Sequence, residues 1–403
     1  MTLAAAVSQD AMTAYFEGLG KLLGRVERRA SFAMYAAGLL SDLERKSVEP
    51  IAALASDGSP KRCALYHHRL LNLLNTSPWS DEDVRAYAAE YALRALTKDE
   101  PIEAWSLDDT GFLKQGDDSV GVQRQYTGSA GKITNCQVAV SLTVATRTAH
   151  LPVDMDLYLP ESWANDAERR KAAKIPEDVV FRTKHDIALD LLAKALLADV
   201  PRGCVLGDSA YGSCARFRGE VTALGLPYAL GVLASVVVRR IDALGRRLAP
   251  TSVKALAEGL RKAHWREVTW LEGSKAPLRS RFALVEVEVE HADPNEPARQ
   301  RLLIEWPGGE KEPAHYTLVT LPAELGLLEV VRLTKARWRV ERTYEDLKGE
   351  LGLDHYEGRS WVGWQHHVSA VLACYALVLA CQRRAFPPSA ARARAAGALE
   401  GAA

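Results

Sequence analysis

The most informative segment for predicting the fold is residues 337–348, RWRVERTYEDLK. Read as a helix at about 100° per residue, it places Arg337, Glu341 and Lys348 on one narrow stripe. Arg339 and Arg342 are rotated away from that stripe, and we expect them to be solvated. A carboxylate between two cations suits a metal ion held against a phosphate backbone, since the carboxylate binds the metal and the cations bind phosphates. The spacing alone also fits a solvated helix with an i,i+4 ion pair.

Two acidic motifs upstream favour the interpretation with a metal ion. LDDTG, residues 107–111, ends a strand-like run, and VLGDSAYG, residues 205–212, places Asp208 at the tip of a short apolar run. Two strands and a helix can bring such acids together at the carboxyl edge of a sheet, where open α/β folds bind ligands. Carboxylates without His or Cys partners favour Mg²⁺ or Mn²⁺ over zinc. Two such ions about 4 Å apart can activate water and stabilise the leaving oxygen of a phosphodiester.

Each acidic position also has an alternative interpretation. Asp108 competes with Asp109, because a strand alternates its faces and only one of the two can point into the site. Asp208 can equally be the N-cap of the following helix, which is a common role for Asp. Glu345 lies one turn beyond Glu341 and competes with it on helical spacing. Residue spacing leaves these alternatives open.

Composition sets wide bounds on the class of protein. The chain has 403 residues, enough for two or three domains, of which 48% are hydrophobic and 25% charged. Lys and Arg number 51, as do Asp and Glu, so any case for nucleic-acid binding must rest on local patches. The six cysteines form no CxxC pair, which argues against a zinc site or a disulfide framework. No secretory signal is visible and the longest apolar run, 368–381, is too short for a bilayer, so we expect a cytoplasmic protein without a membrane partner.

Apolar periodicity divides the chain into five predicted parts. Residues 1–98 are mostly helical with clustered Arg and Lys, which fits either a DNA-binding bundle or simply its solvated faces. Residues 99–227 carry predicted strands at 102–109, 135–145, 149–159 and 203–208, and helices at 184–199 and 215–224. Residues 228–325 are β-rich, and residues 326–385 hold helices at 327–350 and 361–384. Residues 386–403 form an Ala/Arg/Gly-rich tail that we expect to be disordered.

Trp265 and Trp270 lie in the β-rich part, surrounded by many basic residues. Such aromatic side chains can stack on a base that has been extruded from a duplex. A Trp in a β domain is more often part of the core. Trp265 is therefore a candidate DNA contact, with core packing as its alternative.

Taken together, these motifs resemble the DDE transposases of bacterial insertion sequences, group four in outline and group seven hundred and one more closely. The segments that carry the resemblance are Asp109-Thr110, GDSAYG at 207–212, the Arg337-x3-Glu341-x6-Lys348 spacing, LGLDHYEGRSW at 351–361 and GWQHH at 363–367. The resemblance extends from about residue 12 to residue 385, with the β-rich stretch between the second Asp and the Glu. One departure is Thr334, where group four has a Tyr three residues before the Arg.

The resemblance implies an α/β fold in which an RNase H-like mixed-sheet catalytic core is interrupted by a β-rich insertion and preceded by an N-terminal helical domain. It implies that Asp109, Asp208 and Glu341 bind the metal ions and catalyse the reaction. It also implies that Arg337 and Lys348 contact DNA phosphates near the cut.

The activity implied by the resemblance is DNA transposition. A homodimer would bind double-stranded terminal inverted repeats, cut the ends with water activated by Mg²⁺ or Mn²⁺, and join them to target DNA at the bacterial nucleoid. One alternative is a divalent-metal endonuclease without strand transfer. Another is a catalytically inactive DNA-binding protein derived from a transposase, against which the intact set of acids argues.

Overall fold

Five helices open the chain, as the periodicity predicts for this part. The computed structural model describes residues 7–271 and 277–386. The first helices are α1 (Gln9–Leu23), α2 (Val26–Leu39), α3 (Val48–Ala55), α4 (Pro60–Asn75) and α5 (Asp81–Leu96). Ser8, Ser59 and Ser80 cap α1, α4 and α5 by accepting hydrogen bonds from backbone N–H groups of the first turn. The predicted tail at 386–403 lies, apart from its first residue, outside the described residues.

The last helix, α14 (Trp361–Ala385), completes the core of these opening helices. It packs against α1, α2, α4 and α5. The hydroxyl of Tyr15 in α1 donates a 2.9 Å hydrogen bond to the carbonyl of Ala373, which lies 358 residues further along the chain. Among the described helices α14 is long and apolar enough to span a membrane, but 83% of its apolar window is buried inside the protein. It is the buried core helix that its sequence predicts.

Within the described residues, twelve strands form one mixed sheet. They are β1 (Ala104–Leu113), β2 (Gln123–Thr127), β3 (Lys132–Ala145), β4 (His150–Leu157), β5 (Cys204–Gly207), β6 (Tyr228–Gly231), β7 (Val237–Ile241), β8 (Arg247–Ser252), β9 (Arg266–Leu271), β10 (Leu278–Val289), β11 (Gln300–Pro307) and β12 (His315–Val319). Strand β2 lies between the strands predicted at 102–109 and 135–145, where the sequence predicts no strand.

The centre of the sheet has the order β4-β3-β1-β5-β6. The long strand β3 pairs with β1 along most of its length, with β2 through its first residues and with β4 through its last. The pairs β1–β5 and β5–β6 are parallel, and the other pairs are antiparallel. The apolar strand β5 is buried along its whole length, as expected of a central strand. Since β1 and β5 are parallel neighbours, their carboxyl ends point to the same edge of the sheet.

The β-rich part extends this same sheet. Strand β12 pairs with β6, and β11, β10, β7 and β8 follow outward, with β9 pairing with β10. A short helix, α11 (Val253–Glu258), lies between β8 and β9. Arg218 holds Glu296, just before β11, through two hydrogen bonds of 2.7 and 2.9 Å. Both side chains are almost wholly buried, 2% and 0% exposed, so a fully buried ion pair fastens this part to the central sheet.

The remaining helices flank the sheet. They are α6 (Glu161–Ala164), α7 (Ala167–Ala172), α8 (Lys184–Leu197), α9 (Ser209–Gly212), α10 (Ala215–Ala223), α12 (Leu327–Lys335) and α13 (Trp338–Glu345). The single helix predicted at 327–350 is wrong in detail, because it is interrupted at residues 336–337 and ends in a π-helical turn, Asp346–Glu350. Ala336 and Arg337 keep right-handed helical backbone angles. The interruption changes which face is buried, since α12 packs Val330 and Val331 against one cluster of the sheet while α13 buries Val340 and Thr343.

Candidate active site

A cleft of about 550 Å³ lies beside the carboxyl end of β5. Its walls are formed by the junction of β5 and α9, by β11 and β12, and by the residues around the start of α13. Asp208 and Glu341 both line it, together with Arg337 and Trp338. Two of the three acids that the sequence assigns to one site therefore open onto the same cleft.

Asp208 is held in place by the start of α9. Its Oδ1 accepts a 2.8 Å hydrogen bond from the backbone N–H of Ala210, so the N-cap role that the spacing allowed is real. The Gly212 that closes the motif is needed for close packing, because a Cβ there would meet the carbonyl oxygen of Gly231 in β6 at 2.0 Å. The motif GDSAYG thus fixes the short helix against β6, with Asp208 at the cleft.

Glu341 lies in the first turn of α13 with its side chain exposed, one turn after Arg337. Both residues line the cleft, as their place on one helical stripe predicts. Arg337 Nη1 donates to Asp108 Oδ2 across 3.3 Å, which ties the start of α13 to strand β1. Trp338, which no motif singled out, also lines the cleft and is 48% exposed.

Asp108 and Asp109 point to opposite faces of β1. Asp108 lies opposite Ser141 in the register of β1 and β3, and Ser141 forms a 2.6 Å hydrogen bond with the hydroxyl of Tyr344 in α13. Asp109 Oδ2 instead accepts from Lys184 Nζ at 2.5 Å, at the start of α8. The motif predicts Asp109 as the ligand, and that assignment stays a prediction. Asp108 is the aspartate that contacts Arg337 at the start of α13, whereas Asp109 contacts Lys184. This division of partners follows from the alternation of side chains along the strand.

Negative charge accumulates at this edge of the sheet. Burial raises the pKa of Asp108 to about 6; Arg337 opposes the rise, and the charges of Asp109 and Asp208 add to it. Burial, and then nearby carboxylates including these, raises the pKa of Tyr211 as well. Among the described residues the buried hydroxyl of Tyr211 has no hydrogen-bond partner. Such a concentration of carboxylates favours a bound cation.

These residues have the donor chemistry of a hard-cation site. Asp208 and Glu341 supply carboxylate oxygens from two walls of the cleft, and Asp108 supplies a third beneath Arg337. Within residues 7–271 and 277–386, however, no group of three His, Cys, Asp or Glu side chains is close enough together to hold a metal ion. The residue types therefore fit a divalent ion, and the three carboxylates would have to draw together to bind it.

Lys348, predicted as a phosphate contact, is engaged with the protein. Its Nζ donates to the carbonyl of Gly111 at 2.8 Å and to Ser129 Oγ at 3.2 Å, and it lies 5.2 Å from the centre of the Phe112 ring. Burial lowers the pKa of Lys348. Lys348 therefore joins the π-helical turn to the end of β1, and its contact with DNA stays a prediction.

The two arginines off the stripe differ from each other. Arg339 donates to the backbone carbonyls of Thr146 and Arg147 at the end of β3, and burial lowers its pKa. The expectation that it is solvated is wrong, because the side of α13 away from the cleft packs against the sheet. Arg342 is exposed, and it pairs with Glu345 and Asp346 at 3.0 Å each.

Trp265, the candidate DNA contact of the β-rich part, is half-buried. Its ring packs edge-to-face on Trp306 with the ring centres 5.3 Å apart. The guanidinium of Arg281 lies 3.9 Å from the centre of the Trp306 ring on the same cluster. These contacts fit the core alternative, and DNA stacking by Trp265 stays a prediction.

Residues 18–277, more than half of the chain, match the protein family described as DDE superfamily endonuclease. The class of protein is therefore that of the endonucleases. The chain belongs to the DDE superfamily endonuclease family. Membership implies an RNase H-like core and the use of divalent metal ions. The matched segment includes Asp108, Asp109 and Asp208 and ends before α13, so the Glu341 assignment rests on the geometry of the cleft.

The chain is also similar to a protein of Microchaete diplosiphon called "Probable transposase for insertion sequence element IS701". The two are 31% identical over 219 residues. That alignment covers 54% of this chain and 52% of the relative, so the chain spans about half the length of the curated relative that it matches.

Proposed function

We propose that this protein is the DNA transposase of an insertion sequence. It binds the terminal inverted repeats, cuts the ends by metal-dependent hydrolysis of phosphodiester bonds, and joins them to target DNA. The observation that carries the proposal is the single cleft lined by Asp208, Glu341 and Arg337 in a member of an endonuclease family. The similarity to a relative that is called a probable transposase supports it.

The carboxylates of the cleft are the proposed metal ligands. Asp208 and Glu341 hold a divalent ion from two sides, and Asp108 is the third ligand because it faces α13 beside Arg337. The motif predicts Asp109 as the ligand instead. The carboxylate of Asp109 pairs with Lys184, which argues against that assignment. Oxygen ligands suit Mg²⁺, which Mn²⁺ can replace. These residues would hold an ion that, when bound, would lower the pKa of a water molecule and stabilise the leaving oxygen.

Arg337 is the proposed phosphate contact at the cut. It lines the cleft, and its present partner is the carboxylate of Asp108 at 3.3 Å. A guanidinium donates two parallel hydrogen bonds to a phosphate as it does to a carboxylate. A DNA phosphate can therefore replace Asp108 as the partner of Arg337. Lys348 fixes the end of β1 near Arg337. It does so by donating a hydrogen bond to the carbonyl of Gly111, which follows Asp108 and Asp109 in the strand.

DNA binding and assembly complete the proposal. The basic residues of the opening helices, such as the exposed Arg25, Lys61 and Arg62, bind the double-stranded terminal repeats. The RNase H-like core is interrupted by the β-rich insertion that β7 to β12 form, and the opening helices are the N-terminal domain. Two copies pair the two ends as a homodimer, in the cytoplasm at the nucleoid.

The deciding experiment uses the full chain and a plasmid that carries the DNA segments flanking its gene. With Mg²⁺ or Mn²⁺ the purified protein should release the segment between the ends and join it to a second plasmid. Asp208→Asn and Glu341→Gln should abolish cutting, whereas Glu345→Gln should cut normally, because Glu345 is exposed and pairs with Arg342. Equal activity of the first two variants and the wild type would refute the proposed site.

The same assay separates the two alternative functions. A metal-dependent endonuclease would cut the ends and leave them unjoined. A catalytically inactive DNA-binding descendant would bind the ends and cut nothing at any metal concentration. The observation that favours this last alternative is the separation of the carboxylates, since no described group of three is arranged for a metal ion.

A further inference from the structure

Helices α3 and α4 are joined by a short turn of Ser56, Asp57, Gly58 and Ser59. Asp57 and Gly58 have φ angles of 50° and 74°, so two successive left-handed residues reverse the chain. Ser59 then caps α4, with Pro60 as its first residue. Two helices joined by a four-residue turn that contains Gly have the connection of a helix–turn–helix unit, whose second helix enters the major groove of DNA.

A third helix supports this pair. Helix α2 packs against both α3 and α4. Gly38 of α2 permits the close approach, because a Cβ there would meet the side chain of Ile51 in α3 at 2.5 Å. On its inner side α4 buries Leu70, Leu73 and Leu74. The pair is thus held rigidly, and the orientation of α4 is fixed by its buried side.

The outer side of α4 presents a stripe of exposed residues. Lys61, Leu65, His68 and Asn72 follow each other at spacings of four, three and four, which places them on one face at about 100° per residue. This face is opposite the buried leucines. Leu65 is 50% exposed, and the Asn72 amide lies 3.2 Å from the ring nitrogen of His68. An apolar side chain is therefore flanked by hydrogen-bonding groups on an open surface.

The charge of α4 complements DNA. The sequence of the helix, PKRCALYHHRLLNLLN, contains two arginines and a lysine and no acidic residue. Arg62 has only a weak pairing, 4.0 Å from the exposed Asp57, and among the described residues no carboxylate is paired with Lys61 or Arg69. Arg62 and Arg69 border the stripe on one side, where the phosphates of a groove wall would lie.

We infer that α4 is a recognition helix that enters the major groove of the terminal DNA and reads its base edges. The inference rests on the proposed function, since the duplex to be read is the end of the element. Asn72 and His68 contact hydrogen-bonding groups of the bases, Leu65 contacts thymine methyl groups, and Lys61, Arg62 and Arg69 bind phosphates or guanine. The helix of sixteen residues is about 24 Å long, and the groove is about 12 Å wide, so the stripe can follow it.

The test compares two kinds of duplex with the full chain. One duplex carries a terminal repeat of the element, and the other has the same composition in scrambled order. Leu65→Ala combined with Asn72→Ala should weaken binding to the terminal duplex at least tenfold and change binding to the scrambled duplex less than twofold. Leu54→Ala is the matched control, because Leu54 on α3 is 53% exposed and off the stripe. Lys61→Ala should weaken binding to both and reduce the salt dependence by about one phosphate contact.

Fluorescence anisotropy gives the affinities, and thermal melting shows that each variant is folded. A folded double variant that keeps the wild-type preference for the terminal duplex would overturn the inference about α4 and leave the proposed function standing, provided that the wild type still cuts the ends. Loss of the preference in Leu54→Ala to the same extent would also overturn it. A wild type without any preference or cutting would refute both.

Discussion

Arg337 and Asp108 join the start of α13 to the middle of β1 across 3.3 Å, although they lie 229 residues apart in the chain. The helix that carries Glu341 is therefore positioned by the strand that carries the paired acids. The same contact identifies Asp108 as the one of the two neighbouring aspartates that pairs with the cleft residue Arg337. Substituting Asp108 and Asp109 one at a time can therefore show which of the two is needed for cutting.

Asp108→Asn should abolish cutting of the terminal DNA, at least about a hundredfold in rate, because it removes a carboxylate that faces Arg337 and α13. Asp109→Asn should reduce the rate much less, since it loses an ion pair with Lys184 on the opposite face. Both variants should bind the ends with affinities within about twofold of the wild type, as neither removes a phosphate contact. Rates of single-turnover cutting decide the matter, and a loss confined to Asp109→Asn would restore the assignment made from the motif.

Arg339→Ala should lower the free energy of unfolding by about 1–3 kcal/mol, because the carbonyls of Thr146 and Arg147 lose their donor in a buried place. Arg342→Ala should change it less, by about 1 kcal/mol or less, since Arg342 is exposed and pairs with the exposed Glu345 and with the largely buried Asp346. Urea titrations of the two variants test this directly. Equal small effects would mean that Arg339 is solvated after all, as its sequence position suggested.

The buried pair of Arg218 and Glu296 should be the more sensitive of two ion pairs in the β-rich part. Removing one partner alone, as in Arg218→Met, should cost about 3–5 kcal/mol, because Glu296 is then left charged and unpaired away from water. Adding Glu296→Leu to that variant should recover part of the loss. Arg239→Met, at a partly exposed pair with Glu290, is the control and should cost less than about 1 kcal/mol. Equal costs in chemical denaturation would show that burial does not set the strength of the first pair.

The free energy of unfolding should decrease at acidic pH because His367 becomes protonated. Its Nε2 donates to the carbonyl of Leu353 and its Nδ1 accepts from the hydroxyl of Tyr35, so the neutral ring has both partners satisfied. Burial lowers the pKa of His367 to about 4, below its value in the unfolded chain. Its contribution is therefore complete above about pH 6.5 and is lost as the pH falls towards 4, by up to roughly 3 kcal/mol.

Unfolding free energies measured between pH 4 and 7 check this expectation. The wild type should lose its advantage over His367→Gln as the pH falls through that range. A constant difference between the wild type and His367→Gln would show that the ring does not titrate in this window.

The sequence predicts elements whose signal is local. The apolar strand β5 and the buried helix α14 lie within a few residues of where periodicity places them, and the opening part of the chain is mostly helical, as predicted. The common cleft of Asp208 and Glu341 also follows from the sequence, because strand ends and a helical stripe are simple geometric patterns. The helices and the strand depend on residues near one another in the chain, whereas the cleft brings together elements that are distant in the sequence.

Features that depend on distant partners could not be predicted from the sequence. Whether Asp108 or Asp109 faces the helix is set by the pairing of β1 with β3 and by the positions of Arg337 and Lys184. Arg339 is half-buried because its guanidinium contacts the backbone carbonyls that follow β3, a contact that helical spacing does not predict. Strand β2 lies in a polar stretch after β1 that carries no strand signal, and among the described strands it pairs with β3. Tertiary contacts override local preference at each of these places.

The hydrogen bond from Tyr15 to Ala373 has a consequence for synthesis of the protein. The opening helices leave the ribosome long before α14, the helix that completes their interior, and such distant contacts close late and slowly. A chain that stops before α14 therefore leaves the inner faces of α1, α2, α4 and α5 without the helix against which they pack. Under the proposed function, such a truncated chain would lose binding of the DNA ends together with cutting.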